Sequence, residues 1–246
     1  MKVSIIIPVY NRQSIVGEAI NSVLSQKHSD IECIVIDGGS KDGTVRVLES
    51  FGSKIKFISE KDRGVFDALN KGIKMASGEL IGWLGADDIY ANNEVVEKAV
   101  ETVLAKDVEI CWGDLLYVSK DNPDKIIRYW RSSAYKDGDY RKGWQMPHFA
   151  SFVRKEVFEK YGYFREDLKI AADYELFLRF LEVNKISTFY VPEVFLKMRV
   201  GGQSNLSLKG NLECYKAWEL NGLKVNPLAI FIPKILIKLA QYLRKS

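Results

Sequence analysis

Leu80-Ile81-Gly82-Trp83-Leu84-Gly85-Ala86-Asp87-Asp88 is an apolar run that ends in two adjacent carboxylates. Leu80 to Leu84 reads as a buried strand. Where such a strand ends, the chain emerges at the edge of its sheet and carries Asp87 and Asp88 with it. Two acids side by side repel each other unless a cation or a donor sits between them, an arrangement that suits a divalent metal. Asp is also common in turns, where its side chain bonds the local backbone, and the stretch taken alone favours that plainer role. The segments on either side of it decide otherwise.

Upstream, Val3-Ser4-Ile5-Ile6-Ile7-Pro8-Val9-Tyr10 is a β-branched run that reads as a buried strand. Asn11-Arg12-Gln13-Ser14 opens a helix in which Ile15, Ala19, Ile20, Val23 and Leu24 recur at a helical period. Ile31 to Ile36 is a second strand, interrupted only by Glu32, and it runs into the dense turn Asp37-Gly38-Gly39-Ser40-Lys41-Asp42-Gly43-Thr44. A second helix begins at Thr44, Lys56-Phe57-Ile58-Ser59 is a short third strand, and a helix over Val65 to Ala76 stops at Ser77-Gly78. Two strand–helix units followed by a third strand predict an α/β fold with a mostly parallel, Rossmann-like central sheet flanked by helices. In such sheets ligands bind beyond the carboxyl ends of the strands. Four loops converge there: Pro8-Val9-Tyr10-Asn11, Asp37-Gly38-Gly39-Ser40, Glu60-Lys61-Asp62-Arg63-Gly64 and Asp87-Asp88.

The composition, 47% apolar and 28% charged over 246 residues, is that of a folded globular chain of one large or two small domains. Cys33, Cys111 and Cys214 lie far apart without zinc or disulfide spacing, so a reducing compartment is expected. The N-terminus has no signal-peptide layout, and no uncharged run reaches the roughly 20 residues of a spanning helix. The formal charge of +4 comes from residues 227–246, where Lys234, Lys238, Arg244 and Lys245 stand without an acid. Charge gathered in one tail suggests a local anionic partner and argues against nucleic acid.

Neither G-x-G-x-x-G nor G-x-x-x-x-G-K-[ST] follows the first strand, which argues against a NAD enzyme and a P-loop NTPase. Asp37 can accept from a base N–H or a ribose hydroxyl, and Gly38 and Gly39 allow a ligand close to the backbone. Hard carboxylate oxygens at Asp87 or Asp88 suit Mg²⁺ or Mn²⁺ gripping a diphosphate. Together these features describe a nucleotide-sugar site.

Val3–Asn11, Asp37–Thr44, Asp67-Ala68-Leu69-Asn70-Lys71-Gly72 and Gly82–Asp88 resemble, in order and spacing, the successive motifs of family-2 glycosyltransferases. The resemblance covers about residues 1–205. It implies a GT-A fold with a nucleotide-sugar half (about 1–115) and a mixed acceptor half (about 116–226), a UDP- or other NDP-sugar donor, a divalent metal and inversion at the anomeric centre. It places Pro8, Tyr10, Asn11, Asp37 and Gly39 around the base and ribose. Asp62, Asp67, Asn70 and Ala86 fall in the donor site, with Asp87 as metal ligand and Asp88 beside it. Gly85 stands where the family's first motif Asp is usual.

In the second half, Glu109 to Asp114 and Ile126 to Trp130 read as further strands of mixed direction, and Trp130 to Trp144 as a loop, either acceptor-facing or simply solvated. Asp173 opens an amphipathic helix, where a plain N-cap is one reading. The resemblance makes Asp173 the catalytic base, with Ala172 replacing the family's usual Glu and Glu175 as the alternative. His148 then supports acceptor or phosphate contact, against a plain structural role. Arg199, opening Arg199-Val200-Gly201-Gly202-Gln203-Ser204-Asn205, reads as a diphosphate clamp or a surface residue. From Pro233 onward a lysine stripe faces a broad apolar surface, which suits a helix in an anionic membrane interface, or one docked on protein.

These readings predict an inverting, metal-dependent glycosyltransferase that passes sugar to a glycan or lipid-linked acceptor in surface polysaccharide synthesis, in the cytoplasm at the membrane's inner face. A nucleotide-sugar-binding subunit without catalysis is the alternative, because Gly85 and Ala172 each replace an acid. A nucleotidyltransferase is disfavoured by the lack of a basic, glycine-rich triphosphate loop.

Overall fold

The structure is a computed structural model that describes residues 1–201 and 208–226 and the single positions 232 and 236. Apart from those two positions, the helix expected over 227–246 lies outside the described residues, as does the Gln203-Ser204-Asn205 end of the closing loop. Strands β1 (Val3–Val9), β2 (Ile31–Asp37), β3 (Lys56–Ser59) and β4 (Leu80–Trp83) are parallel in the order β3-β2-β1-β4. They are joined by α1 (Val16–Leu24), α2 (Thr44–Ser50) and α3 (Val65–Met75). β1 is hydrogen-bonded on both edges and buried on both faces, so its run is continuously apolar instead of alternating. Ile5 and Ile7 enter one core layer and Ile6 the other.

The first helix starts later than its sequence suggests. Asn11 lies in the left-handed region at φ 50°, which an α-helix cannot accommodate. Residues 12–15 instead form a turn in which the N–H groups of Ile15 and Val16 both donate to the Arg12 carbonyl.

Beyond β4 the sheet becomes mixed. The short β5 (Ile89–Tyr90) directly follows Asp88, and α4 (Val95–Lys106) leads to β6 (Ile110–Val118) and β7 (Ile126–Trp130). β8 (Ser151–Arg154) lies antiparallel between β4 and β6, followed by α5 (Lys155–Tyr161) and α6 (Ala172–Leu178), which continues as a π-helical turn over Arg179–Val183. The long β9 (Thr188–Arg199) runs parallel to β6 and antiparallel to β5, and α7 (Leu208–Leu220) is the last described helix. Pairing of Ile89 with Lys197 and of Tyr90 with Leu196 pins the exit of the Asp87-Asp88 loop to β9.

Trp83 anchors the layer beneath α3, α5 and α6, with its ring 5.8 to 6.2 Å from those of Phe158, Phe164 and Phe177. Full burial of each such side chain contributes about 1.5–3 kcal/mol. The stretch from Trp130 to Trp144 is not a plain solvated loop. It turns at Asp139–Lys142 and buries Tyr140 against Trp144 and Tyr174 at ring separations of 5.5 and 5.3 Å.

Candidate active site

The carboxyl ends of β1, β2 and β3 and the loop after β4 share one edge, and their side chains bind one another there. Asp37 is fully buried at the end of β2. Its Oδ2 accepts from the N–H groups of Gly39 (3.2 Å) and Ser40 (3.0 Å) and from Ser59 Oγ (2.6 Å), while Ser40 Oγ donates to Oδ1. The open acceptor expected of Asp37 is therefore largely consumed: a carboxylate offers about four lone-pair sites, and four donors already converge on this one. Asn11 is used similarly. Its N–H donates to Ser40 Oγ and its Oδ1 accepts from the Lys41 N–H, each at 2.8 Å. Gly39, at φ 80°, makes the left-handed turn that brings these donors round. Tyr10, 55% exposed, and the half-buried Pro8 are the groups this corner leaves facing outward.

Asp62 packs its carboxylate against Gly38, where a Cβ would collide with it, and accepts from the Gly64 N–H at 3.0 Å. Asp67, in the first turn of α3, is buried and accepts from Arg63 N (2.9 Å) and Nη2 (3.0 Å), with Lys71 at 3.5 Å. Burial opposes ionisation of Asp67, but the Arg63 bonds and Lys71 hold its pKa below the usual carboxylate value. Asn70 departs from its expected place lining the donor. Its Oδ1 accepts from the Phe164 N–H at 3.0 Å and its Nδ2 donates to the Phe164 carbonyl at 2.9 Å, so its amide clasps α3 to the 164–166 loop.

The Asp87-Asp88 pair divides its labour. Asp87 is 41% exposed and lies 3.9 Å from Arg12 Nε. Asp88 is buried and accepts from the Arg199 N–H at 3.0 Å. Burial, reinforced by the charge of Asp87, pushes the pKa of Asp88 up to about 8. Arg199 is not the open diphosphate clamp expected of it. Its guanidinium is buried and all three nitrogens are engaged: Nη1 with the Asp87 carbonyl (2.6 Å), Nη2 with Glu18 (2.6 Å) and Nε with the Lys120 carbonyl (3.1 Å).

Among the described residues no three His, Cys, Asp or Glu side chains are gathered to hold a metal. The donor set fits a metal that arrives with substrate. Asp87 supplies one accessible hard oxygen, and Mg²⁺ commonly binds through one or two carboxylates plus substrate phosphates. A Cβ on Gly85 would run into the Asp88 carboxylate, so Asp88 fills the space in which a side chain at Gly85 would begin. Ala86, between them in the chain, is buried.

On the other side of β4, the turn His148–Ala150 enters β8 and presents its histidine to the first turn of α6. His148 Nδ1 lies 2.9 Å from Asp173 Oδ2, and both side chains are partly exposed, at 23% and 22%. Asp173 is not an N-cap, since the cap position is Ala171. Glu175, the alternative base, is closed off from solvent. It is buried, paired with Arg179 Nε at 3.0 Å and accepting from Asn221 at 3.1 Å. Burial and the neighbouring Tyr174 and Asp173 raise the Tyr140 hydroxyl well above its ordinary pKa. The chain leading into α6 is held by Glu213 of α7, which escaped sequence reading because Glu213 lies 42 and 43 residues from its two partners with a strand between.

A parallel nucleotide-type half continued by a mixed half, with a paired-acid loop after the fourth strand, is the GT-A glycosyltransferase architecture. Residues 4–162 match the family model described as Glycosyl transferase family 2, and the chain belongs to that family and is a glycosyltransferase. An uncharacterized glycosyltransferase of Rickettsia typhi is 34% identical over 222 residues, spanning 87% of this chain and 69% of the relative. The Escherichia coli UDP-Glc:alpha-D-GlcNAc-diphosphoundecaprenol beta-1,3-glucosyltransferase WfgD is 28% identical over 92% of this chain and 88% of its own. In fold, the chain matches S. aureus TarS 1-349, solved with UDP-GlcNAc, at a TM-score of 0.68 and 19% identity over 100% of this chain and 72% of that one. It also matches the mannosyltransferase PcManGT of Pyrobaculum calidifontis, solved with GDP-Man and Mn²⁺, at a TM-score of 0.67 and 20% identity over 98% of this chain and 70% of that one.

Proposed function

We propose that this glycosyltransferase is inverting and metal-dependent, moving a sugar from an NDP-sugar, of the UDP type, to a hydroxyl of a glycan or lipid-linked acceptor in surface polysaccharide synthesis. The observation that carries this reading is the partly exposed Asp173 carboxylate held by His148 on the far side of β4 from the exposed Asp87. In an inverting transfer the acceptor hydroxyl gives its proton to a carboxylate while its oxygen attacks the anomeric carbon. The bond from that carbon to the diphosphate breaks as the new one forms, and the nucleoside diphosphate leaves with the electron pair. Asp173 takes the proton, and His148 holds Asp173 Oδ2 so that the base stays aimed at the attacking oxygen. Asp87 and the loops around Tyr10 and Asp62 hold the donor from the opposite side. A divalent metal, when bound, would neutralise charge developing on the diphosphate.

The names of the relatives support the finer points: WfgD uses a UDP-Glc donor and a diphosphoundecaprenol-linked acceptor, and the solved TarS and PcManGT carry UDP-GlcNAc and GDP-Man with Mn²⁺. A lipid-linked acceptor also suits the lysine-striped segment 227–246 as a contact with the inner face of the plasma membrane. Residues 1–226 then form the GT-A domain. Among the described residues no helix is long and apolar enough to cross a membrane.

The test measures UDP or GDP release from UDP-glucose, UDP-GlcNAc, UDP-galactose and GDP-mannose with Mn²⁺, before and after EDTA, in the wild type and Asp173→Asn. Release that stops on EDTA and returns with Mn²⁺ is expected. Asp173→Asn should lower it by at least about 10²-fold, the range of general-base effects, with donor affinity kept. Release indifferent to EDTA overturns the metal role, and full release by Asp173→Asn overturns the base. Nucleotide-sugar binding without release under any condition would favour the non-catalytic binding subunit.

A further inference from the structure

We infer that α7 is a brace for the catalytic-base helix and that Glu213 is the positioning residue through which it acts, an inference that rests on the reading of Asp173 as the base. α6 begins Ala171-Ala172-Asp173, and neither alanine has a side chain able to accept from the N–H groups at the helix start. A helix leaves its first N–H groups without intrahelical partners, and its entry wanders unless something else accepts from the chain there. Glu213 Oε2 does so from outside the helix, taking the N–H of Ile170 at 2.7 Å and that of Ala171 at 3.0 Å. One carboxylate oxygen thus fixes the two peptide units that immediately precede Ala172 and Asp173.

The rest of α7 repeats the contact along α6. Trp218 Nε1 donates to Tyr174 Oη at 2.8 Å, and Asn221 Nδ2 donates to Glu175 Oε1 at 3.1 Å. Glu213 and Trp218 of α7 and Asn221, the residue just past its end, therefore hold the residues before Asp173 and the two residues after it. The turn that carries Tyr140 closes the far side, since Arg141 donates to the Lys224 carbonyl at 3.0 Å and its guanidinium lies 5.1 Å from the Trp218 ring. These groups bond the chain on either side of Asp173, and their effect on turnover runs through the aim of Asp173 at His148. A displacement of about 1 Å at a reacting group can cost on the order of 10²-fold in rate, which gives a brace at this position a large lever on kcat.

The experiment compares Glu213→Ala, Glu213→Gln and Asp173→Asn in the full chain, using UDP-GlcNAc or whichever donor the release assay selects, well below the unfolding temperature. Glu213→Ala is expected to lower kcat by about tenfold or more with donor KM within twofold of wild type. Glu213→Gln, whose amide oxygen still accepts from both N–H groups, should restore most of it. The chain has two histidines, so their ring signals are readily separated by NMR. Glu213→Ala should move the His148 signals in the direction that Asp173→Asn moves them and leave His28 unchanged. Trp218→Phe, which removes the indole donor to Tyr174 together with part of a buried ring, gives a second reading of kcat and of the His148 signals should the alanine variant not fold.

Wild-type kcat with unmoved His148 signals in the variant that folds overturns the brace. Equal loss in Glu213→Gln and Glu213→Ala, or loss appearing in donor KM, overturns the positioning role as well. Retained release by Asp173→Asn overturns the base assignment instead, and in that case the His148 signals still report whether Glu213 sets the start of α6.

Discussion

Gly85 shows how one residue can look like a loss and be a fit. The sequence marks it as an absent acid, and nothing local reveals that Asp88 would fold back into the space. That outcome depends on the Arg199 N–H, 111 residues away, which donates to the buried Asp88 carboxylate. A Cβ at Gly85 would strike the Asp88 carboxylate, and the carboxylate cannot swing aside without giving up that bond. Gly85→Asp is therefore expected not to strengthen metal binding. It should destabilise the fold by about 1–3 kcal/mol, the usual range for forcing extra atoms into a packed site. For a chain of this size that lowers the unfolding midpoint by roughly 2–4 °C per kcal/mol. Thermal unfolding with and without Mn²⁺ and UDP checks it, and an unchanged midpoint with tighter Mn²⁺ binding would mean that Gly85 is a genuinely missing ligand. The same limit on local reading applies to Asn11, Asp37 and Asn70. Their types and positions identify the loops correctly, but whether a polar side chain faces a ligand or another loop is settled by neighbours the sequence does not place.

At the scale of elements, β1, β2, β3, α3 and β4 were legible because each carries its own period and its own stop signals. β9 was not, because a strand partly buried on an irregular sheet shows neither continuous apolarity nor clean alternation over Thr188–Arg199. Yet β9 organises the Asp87-Asp88 side of the sheet. It pairs with β5 just past Asp88, and its last residue, Arg199, ties together the Asp87 carbonyl, Glu18 of α1 and the carbonyl of Lys120 in the β6–β7 turn. Arg199→Ala removes all three bonds; the exposed Glu18 carboxylate can turn to water, but the Asp87 and Lys120 carbonyls lose this buried donor, which should cost about 1–3 kcal/mol. Arg199→Lys should rescue little, because one ammonium cannot reach three directions that a planar fork spans. Chemical denaturation read beside Mn²⁺-UDP affinity measures both effects. A lysine variant equal to wild type in each would show that charge alone matters at this point.

Across the whole molecule, the catalytic edge at the carboxyl ends of the strands is opposed by a staple at their amino ends. Glu32 is buried there and accepts from Ser4 Oγ of β1 (2.5 Å), Lys56 Nζ of β3 (2.7 Å), and the Ser77 N–H (2.6 Å) and Gly78 N–H (3.2 Å) on the approach to β4. One carboxylate thus joins all four parallel strands. In the sequence it looked like a lone interruption of an apolar strand, because its partners lie 24 to 46 residues away and no local pattern announces them. Burial by itself would raise its pKa, but the bonds from Lys56, Ser4 and Ser77 outweigh burial and bring it from 4.5 down to about 2. A folded-state pKa below the unfolded one contributes stability that is present above about pH 4.5 and is lost as pH falls toward 2. Glu32→Gln should therefore lower the unfolding free energy at pH 7 by on the order of 2–3 kcal/mol while leaving donor KM and kcat alone, since the staple lies at the end of the sheet away from Asp87 and Asp173. The gap between variant and wild type should shrink as the pH is taken from 5 toward 2, because protonation then removes from the wild type what the substitution removed from the variant. Urea unfolding of both proteins across that range measures the gap directly. A gap that stays constant with pH would mean that Glu32 acts by its shape and hydrogen bonds alone, and that the charge joining the four strands contributes nothing to holding the sheet.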